Sequence, residues 1–153
     1  QDRPFEPNQP LLIDWGARAS WYVSDLTRVL RVDSIPPRLR RVHQLVREAH
    51  DAAIAAVRPG VSAAQVDRAA RRVIRKAGFG KQFVHSVGHG IGLDVHEGPR
   101  LGAQSKDVLA PGMVVTIEPG IYLPGVGGVR IEDDVLVTPT GHEVLSSLPT
   151  DWL

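Results

Sequence analysis

Four carboxylates and one imidazole, Asp14, Asp25, Glu118, Glu132 and His89, each sit in a short motif at the end of an apolar run or inside a glycine-punctuated one. Gathered in one place they would repel one another unless cations neutralised them. Two divalent ions carry four positive charges and so balance four carboxylates. Water shared between such ions becomes a nucleophile at neutral pH. These residue types therefore point to metal-assisted hydrolysis.

Asp14 closes the run Leu11-Leu12-Ile13, and Asp25 lies eleven residues further on. Either alone would read as an aspartate capping a helix or a turn. Two facing each other across antiparallel strands, with no cation between them, would destabilise the pair. Glu118 interrupts the end of Val114-Val115-Thr116-Ile117, where an unpaired buried carboxylate would cost several kcal/mol. Arg130 and Glu132 differ by two and share one strand face, with Val129 and Ile131 on the other. A plain Arg–Glu pair is the simpler reading of those two, and Asp133 and Asp134 read as surface residues.

His85, His89 and His96 fall within twelve residues, and Gly88, Gly90 and Gly92 surround His89. Glycines there are expected to let the backbone approach a ligand closely. His43 and His50 are expected on a helix surface or core edge, and His142 beside Gly141 in a turn. Oxygen-rich ligation with one imidazole suits manganese, cobalt, iron or zinc, manganese first. Magnesium is less natural, and the histidine disfavours calcium.

These residues need elements to carry them. Residues 1–10 read as a polar, proline-containing entry segment. Leu11 to Asp14 predicts a buried strand, and Trp21-Tyr22-Val23 opens a second, continued by Thr27 to Val32. Gly16 to Ser20 reads as the hairpin turn between them. Ser34 with Pro36 and Pro37 starts a helix whose apolar face is Leu39, Val42, Leu45, Val46, Ala49, Ala53, Ile54 and Val57, stopped by Pro59-Gly60. Ser62 and Gln65 fit a capping box for a second helix. Its inner stripe is Val66, Ala69, Val73 and Ile74, and Gly78 suits its left-handed end. Strands follow near Phe83–Val95, at Met113–Ile117 and at Val129–Val137. Each acidic pair brackets a strand–turn–strand unit, a coarse internal echo.

At 153 residues the chain has room for one domain with a core. The formal net charge is +1, and Arg38 to Arg41 and Arg71-Arg72 read as solvated helix faces. No nucleic-acid or membrane partner is therefore expected. There is no cysteine, which excludes disulfides, thiolate catalysis and cysteine-held zinc. No membrane-length apolar run and no signal pattern appear, and the expected compartment is the cytoplasm.

In order and at their separations, LLIDWG…YVSDLTR, VHSVGHGIGLDVHEGP, APGMVVTIEPGIY and GGVRIEDDVLVT resemble the pita-bread metallopeptidases, the superfamily of methionine aminopeptidase, Xaa-Pro aminopeptidase and prolidase. The likeness runs from about Leu11 to the C-terminus. It implies an α+β fold, a curved and mostly antiparallel sheet with helices on its outer face and the site on the concave face. It also implies that Asp14, Asp25, His89, Glu118 and Glu132 ligate two metal ions. Glu118 would double as general base towards the metal-bridging water, while His96 and His85 would hold substrate and stabilise the tetrahedral intermediate. Arg130 would orient the carboxylates and Tyr122 line the pocket.

The stretches GVRIEDD and GLDVHE look more like the proline-specific enzymes. They imply removal of a residue before proline, or cleavage of an Xaa-Pro dipeptide. The alternatives are a methionine aminopeptidase-like enzyme and a truncated, non-catalytic binding module of the same fold. The family's helices and strands upstream of the first metal aspartate have no counterpart here. The chain is thus expected to be the C-terminal part of a catalytic domain, with uncovered apolar sheet that favours self-association.

Overall fold

The computed structural model describes residues 8–31 and 34–151. Most of the expected entry segment, and Val32 at the end of the second expected strand, lie outside them.

Two ten-residue strands, β1 (Pro10–Ala19) and β2 (Tyr22–Arg31), form the first unit. They pair antiparallel from Pro10↔Arg31 to Ala19↔Tyr22. The turn is only Ser20-Trp21, both at positive φ (48° and 77°), a two-residue connection of the kind hairpin twist favours. The expected turn at Gly16–Ser20 is therefore displaced. Gly16 belongs to the strand interior, because a Cβ there would lie 2.2 Å from the Ser24 carbonyl oxygen. It marks a close strand approach rather than a bend.

Helices α1 (Pro37–Ile54) and α2 (Ala63–Lys76) come next. The α1 face is buried as expected at Leu39, Val42, Leu45, Val46, Ala49 and Ala53, but His43 and His50 are buried with it. At the start of α2, Gln65 Oε1 accepts from the Ser62 amide at 3.1 Å and from its hydroxyl at 3.0 Å. The α2 stripe is rotated from the expected one. Val66, Ala70 and Ile74 are buried, Ala69 and Val73 only half so, and the turn of the stripe admits a buried Asp67. Arg71 follows it inward and is not a solvated residue. Gly78 at φ 87° ends the helix.

The main sheet is β4 (Glu97–Leu101), β3 (Gly88–Gly90), β5 (Val114–Ile117), β8 (Asp133–Val137) and β9 (His142–Val144), in that order. All its pairings are antiparallel. A second hairpin, β6 (Gly120–Leu123) and β7 (Gly127–Arg130), stands apart from it. Thus the expected strand Val129–Val137 is two strands, with a break at Ile131-Glu132. Val115, Ile117, Val135 and Val137 join the inner faces of both helices in one core cluster.

Alternation puts Thr116 and Asp134, a cross-strand pair, on the other face of the sheet. Ile117 pairs with Asp133, so Asp133 faces the helices. It is buried, as is Asp134, in place of the surface positions expected for both. His142 starts β9, and its Nδ1–H donates to the Val57 carbonyl at 2.9 Å, which ties the strand to the connection between α1 and α2. Among the described residues no helix is long and apolar enough to cross a membrane.

Candidate metal centre

The β1–β2 register sets the first half of the site. Asp14 pairs with Thr27 and Gly16 with Asp25, so both aspartates and Thr27 share one face. The second hairpin sets the other half. Glu118 and Glu132 immediately flank it, and the Glu132 amide donates to the Thr27 carbonyl at 3.2 Å, which seats one hairpin on the other.

His89 comes from β3, between two glycines. A Cβ at Gly88 would lie 1.9 Å from the Thr116 carbonyl oxygen, and one at Gly90 would lie 2.1 Å from that of Gly98. These glycines admit neighbouring backbone, not a ligand, and so correct the earlier expectation. His89 Nδ1–H donates to its neighbour's carbonyl, Gly90 O, at 3.0 Å. That leaves Nε2 as the nitrogen with a lone pair for a ligand.

Asp25, His89 and Glu132 each offer an atom within 4.8 Å of the others. His89 Nε2 is 3.5 Å from Glu118 Oε1 and 3.9 Å from Asp25 Oδ2. Asp14 stands further out. Its side chain is half exposed and bonded to Arg130. These five residues, together with Arg130 and His96, line one cleft of about 680 Å³. The sequence-expected set is therefore gathered on one concave surface, with four members tightly placed and Asp14 at the rim.

Burial pushes the Glu118 carboxyl up to about 7 against the pull of Arg130, and pushes Glu132 up to about 8, with Glu118 adding repulsion. Asp25 is raised by burial and then by Asp14. Carboxylates held this close, with one guanidinium among them, fit a cation. The donor set, oxygens and one imidazole, fits a divalent metal of the first transition row.

The three histidines separate. The His89 and His96 ring centroids are 4.2 Å apart with the planes tilted by 46°, and His96 is exposed on the loop after β3. His85 Nε2 is 3.0 Å from the Tyr122 hydroxyl, and Arg130 donates to the same hydroxyl at 3.4 Å. Tyr122 is not among the residues lining the cleft; it joins His85 to Arg130 from behind.

The loop bearing His85 is held from α2. Arg71 grips Asp67 through two bonds of 2.8 Å and donates to the Phe83 and His85 carbonyls at 3.1 and 2.8 Å, while Asp67 accepts from the Val87 amide at 3.1 Å. The four-residue spacing of Asp67 and Arg71 was the available signal for this pair.

A second missed group lies under Glu132. The buried Arg28 donates to the Glu132 carbonyl (2.5 Å), to Asp133 (2.6 Å) and to the Leu148 and Pro149 carbonyls. His50 Nε2 sits 3.1 Å from Asp133 in ion-pair contact rather than aligned hydrogen bonding. Burial favours neutral Asp133, but His50 and Arg28 outweigh it and hold the carboxyl below its ordinary value. Arg100 was also missed. It borders a hollow of about 450 Å³ that it shares with His85, His89, His96, Glu118 and Arg130, and a second of about 490 Å³ beside Phe83 and His85.

The sequence pattern of metallopeptidase family M24 matches residues 1–139. Over 152 residues the chain is 43% identical to a Xaa-Pro dipeptidase of Pyrococcus furiosus, covering 99% of this chain and 44% of that one. Among solved structures it resembles the prolidase of Pyrococcus horikoshii, with TM-score 0.97 and 41% identity over 100% of this chain and 44% of the other. It also resembles an X-Pro aminopeptidase of Thermotoga maritima, with TM-score 0.96 and 40% identity over 99% and 43%. The chain thus spans less than half the length of the relatives it matches. Its fold is the pita-bread α+β arrangement, and the chain belongs to metallopeptidase family M24.

Proposed function

We propose that this chain carries the binuclear metal centre of a Xaa-Pro peptidase, and that Asp14, Asp25, His89, Glu118 and Glu132 hold two divalent cations, manganese first among cobalt, zinc and iron. The observation that carries the reading is the convergence of Asp25, His89 and Glu132 within 4.8 Å, with Glu118 against His89, inside one open cleft. The names of the relatives supply the substrate class, a peptide with proline in second position.

When bound, the metals would supply Lewis acidity and an activated water. The protein's own groups do the rest. Glu118 takes a proton at its carboxylate and returns it to the departing amine, a role suited to a carboxyl whose ordinary acidity burial has weakened. His96, beside His89, donates to the substrate carbonyl oxygen as it gains charge, while His85, whose Nδ1–H is given to the Ser86 carbonyl and whose Nε2 meets the Tyr122 hydroxyl, lines the substrate's hollow. Arg130 fixes Asp14 and neutralises part of the acidic set.

Arg100 favours the dipeptidase form of this reading. Its guanidinium has no acidic partner among the described residues and borders the hollow that also holds His85, His89 and Glu118, where a dipeptide's own carboxylate would arrive.

The test begins with chelator-stripped protein titrated with manganese and desalted for elemental analysis. Close to two ions per chain, reduced in Glu118→Ala, is the expected result. The loaded protein is then offered Leu-Pro, Leu-Pro-Gly and Met-Ala-Ser. Cleavage of Leu-Pro alone supports a dipeptidase, and cleavage of Leu-Pro-Gly an aminopeptidase. Cleavage of Met-Ala-Ser alone would replace the proline reading with a methionine aminopeptidase. A folded sample that retains no metal would leave the non-catalytic module.

A further inference from the structure

One fully buried hydroxyl lies between the site's guanidinium and its deepest carboxylate. Thr27 is 0% exposed, and its Oγ1 is 2.5 Å from Glu132 Oε2 and 3.1 Å from Arg130 Nε. The direction of both bonds is fixed by chemistry. Arginine has no acceptor, so Arg130 must donate to Thr27. The hydroxyl has a single proton, and with Glu132 ionised, the form that a metal ion binds, that proton goes to Glu132. The chain of donation therefore runs one way, from Arg130 to Thr27 to Glu132.

The surroundings leave Thr27 little freedom. It is β-branched, with a stiff first side-chain torsion. Its carbonyl accepts from the Glu132 amide at 3.2 Å and from Arg28 at 3.0 Å, so its backbone is locked to the segment that carries Glu132. It also stands opposite Asp14 and two residues from Asp25 on the same strand face.

We infer that Thr27 is a positioning residue for the metal centre: its hydroxyl holds one oxygen of Glu132 and so presents the other to the cation shared with Asp25 and His89. The inference rests on the proposed metal-binding reading and adds a residue that touches neither metal nor substrate. A hydrogen-bonding partner behind a ligand orients it and sets its basicity, and removing such a partner lowers metal affinity about 10–100-fold. Without the hydroxyl, Glu132 can rotate away at the cost of one bond only.

Manganese binding measured by calorimetry on the full chain tests this, with the unaltered protein, Thr27→Val and Thr27→Ser compared. Valine keeps the shape and burial, and serine keeps the hydroxyl. The expected result is about 10–100-fold weaker manganese binding at one site in Thr27→Val. Thr27→Ser is expected to recover most of that loss. The melting temperature of each metal-free variant separates positioning from folding, and a Thr27→Val protein that melts within a few degrees of the parent is the expected one. Equal affinity in Thr27→Val and the parent would overturn the inference while leaving the metal-binding reading intact. Loss in Thr27→Ser equal to that in Thr27→Val would also overturn it, since the hydroxyl would then not be the cause. A parent that binds no manganese would overturn both.

Discussion

The two hairpins contribute the same number of carboxylates to the cleft but live in different surroundings. β1–β2 is long and open, its tip exposed, and it carries the shorter acids Asp14 and Asp25 on one face. β6–β7 has four-residue strands buried against the core, flanked by the longer acids Glu118 and Glu132. Asp14 keeps half its surface and a guanidinium partner, whereas the Glu132 residue is 2% exposed. Electrostatic strain is therefore concentrated in the buried half. Glu118 rises to about 7 and Glu132 to about 8, while Asp25 is raised less. The open hairpin supplies reach and the buried one supplies the pressure to bind a cation.

The comparison can be broken most decisively at Glu118. Glu118→Gln is expected to lower turnover about 10²–10⁴-fold if it serves as general base. Steady-state rates on Leu-Pro at saturating manganese measure this, and an unaltered rate would remove Glu118 from the chemistry.

Next comes the anchoring of the open hairpin, whose base carries Arg28 and whose tip region carries Arg18. Arg28→Met would leave Asp133 buried with only His50 for a partner, at about 3–5 kcal/mol of stability by urea unfolding. Arg18→Met on the open hairpin should stay within about 0.5 kcal/mol. Similar losses for both would mean that the base of β1–β2, where Arg28 meets Glu132 and Asp133, is no more firmly anchored than its tip.

The pH dependence sharpens the contrast. Glu118 and Glu132 have folded pKa values above their ordinary 4.5, so in metal-free protein the native state holds protons that the unfolded chain has released. Stability should then fall as pH rises from about 4.5 to about 8. Glu132→Gln should flatten that slope. Manganese binding displaces those protons, so its apparent affinity should rise over the same interval.

The smallest effect concerns the open hairpin's tip. Ser20→Asn with Trp21→Gly suits the two positive φ angles and should stabilise by about 1 kcal/mol, read as slower amide exchange in β1 and β2.

The acidic residues stood out because each lies beside an apolar run, although Asp14 and Asp25 sit inside ten-residue strands and only Glu118 and Glu132 at strand ends, and the helices were legible because their apolar period is long. The second hairpin was legible through the glycine-rich turn before Val129. What escaped was set by tertiary contact. Gly16 looks the same in a sequence whether it bends a chain or admits a neighbouring strand, and only the Ser24 carbonyl decides. The break at Ile131-Glu132 follows from the need to turn Glu132 into the cleft and Asp133 towards His50, partners more than eighty residues apart. Local polarity marks Asp133, His50 and Asp67 as surface, yet each is buried with an ionic partner.

The position of the tryptophans has an optical consequence. Trp21 is 78% exposed at the hairpin tip and Trp15 is 39% exposed on the cleft wall, while no described tryptophan lies in the core. Indole emission from these two would already be red-shifted in the native protein and would change little when the helices melt. A paramagnetic ion such as manganese, bound beside Trp15, would instead quench part of that light. The emission of Trp15 and Trp21 would thus follow occupancy of the cleft while remaining nearly blind to unfolding of the helical core.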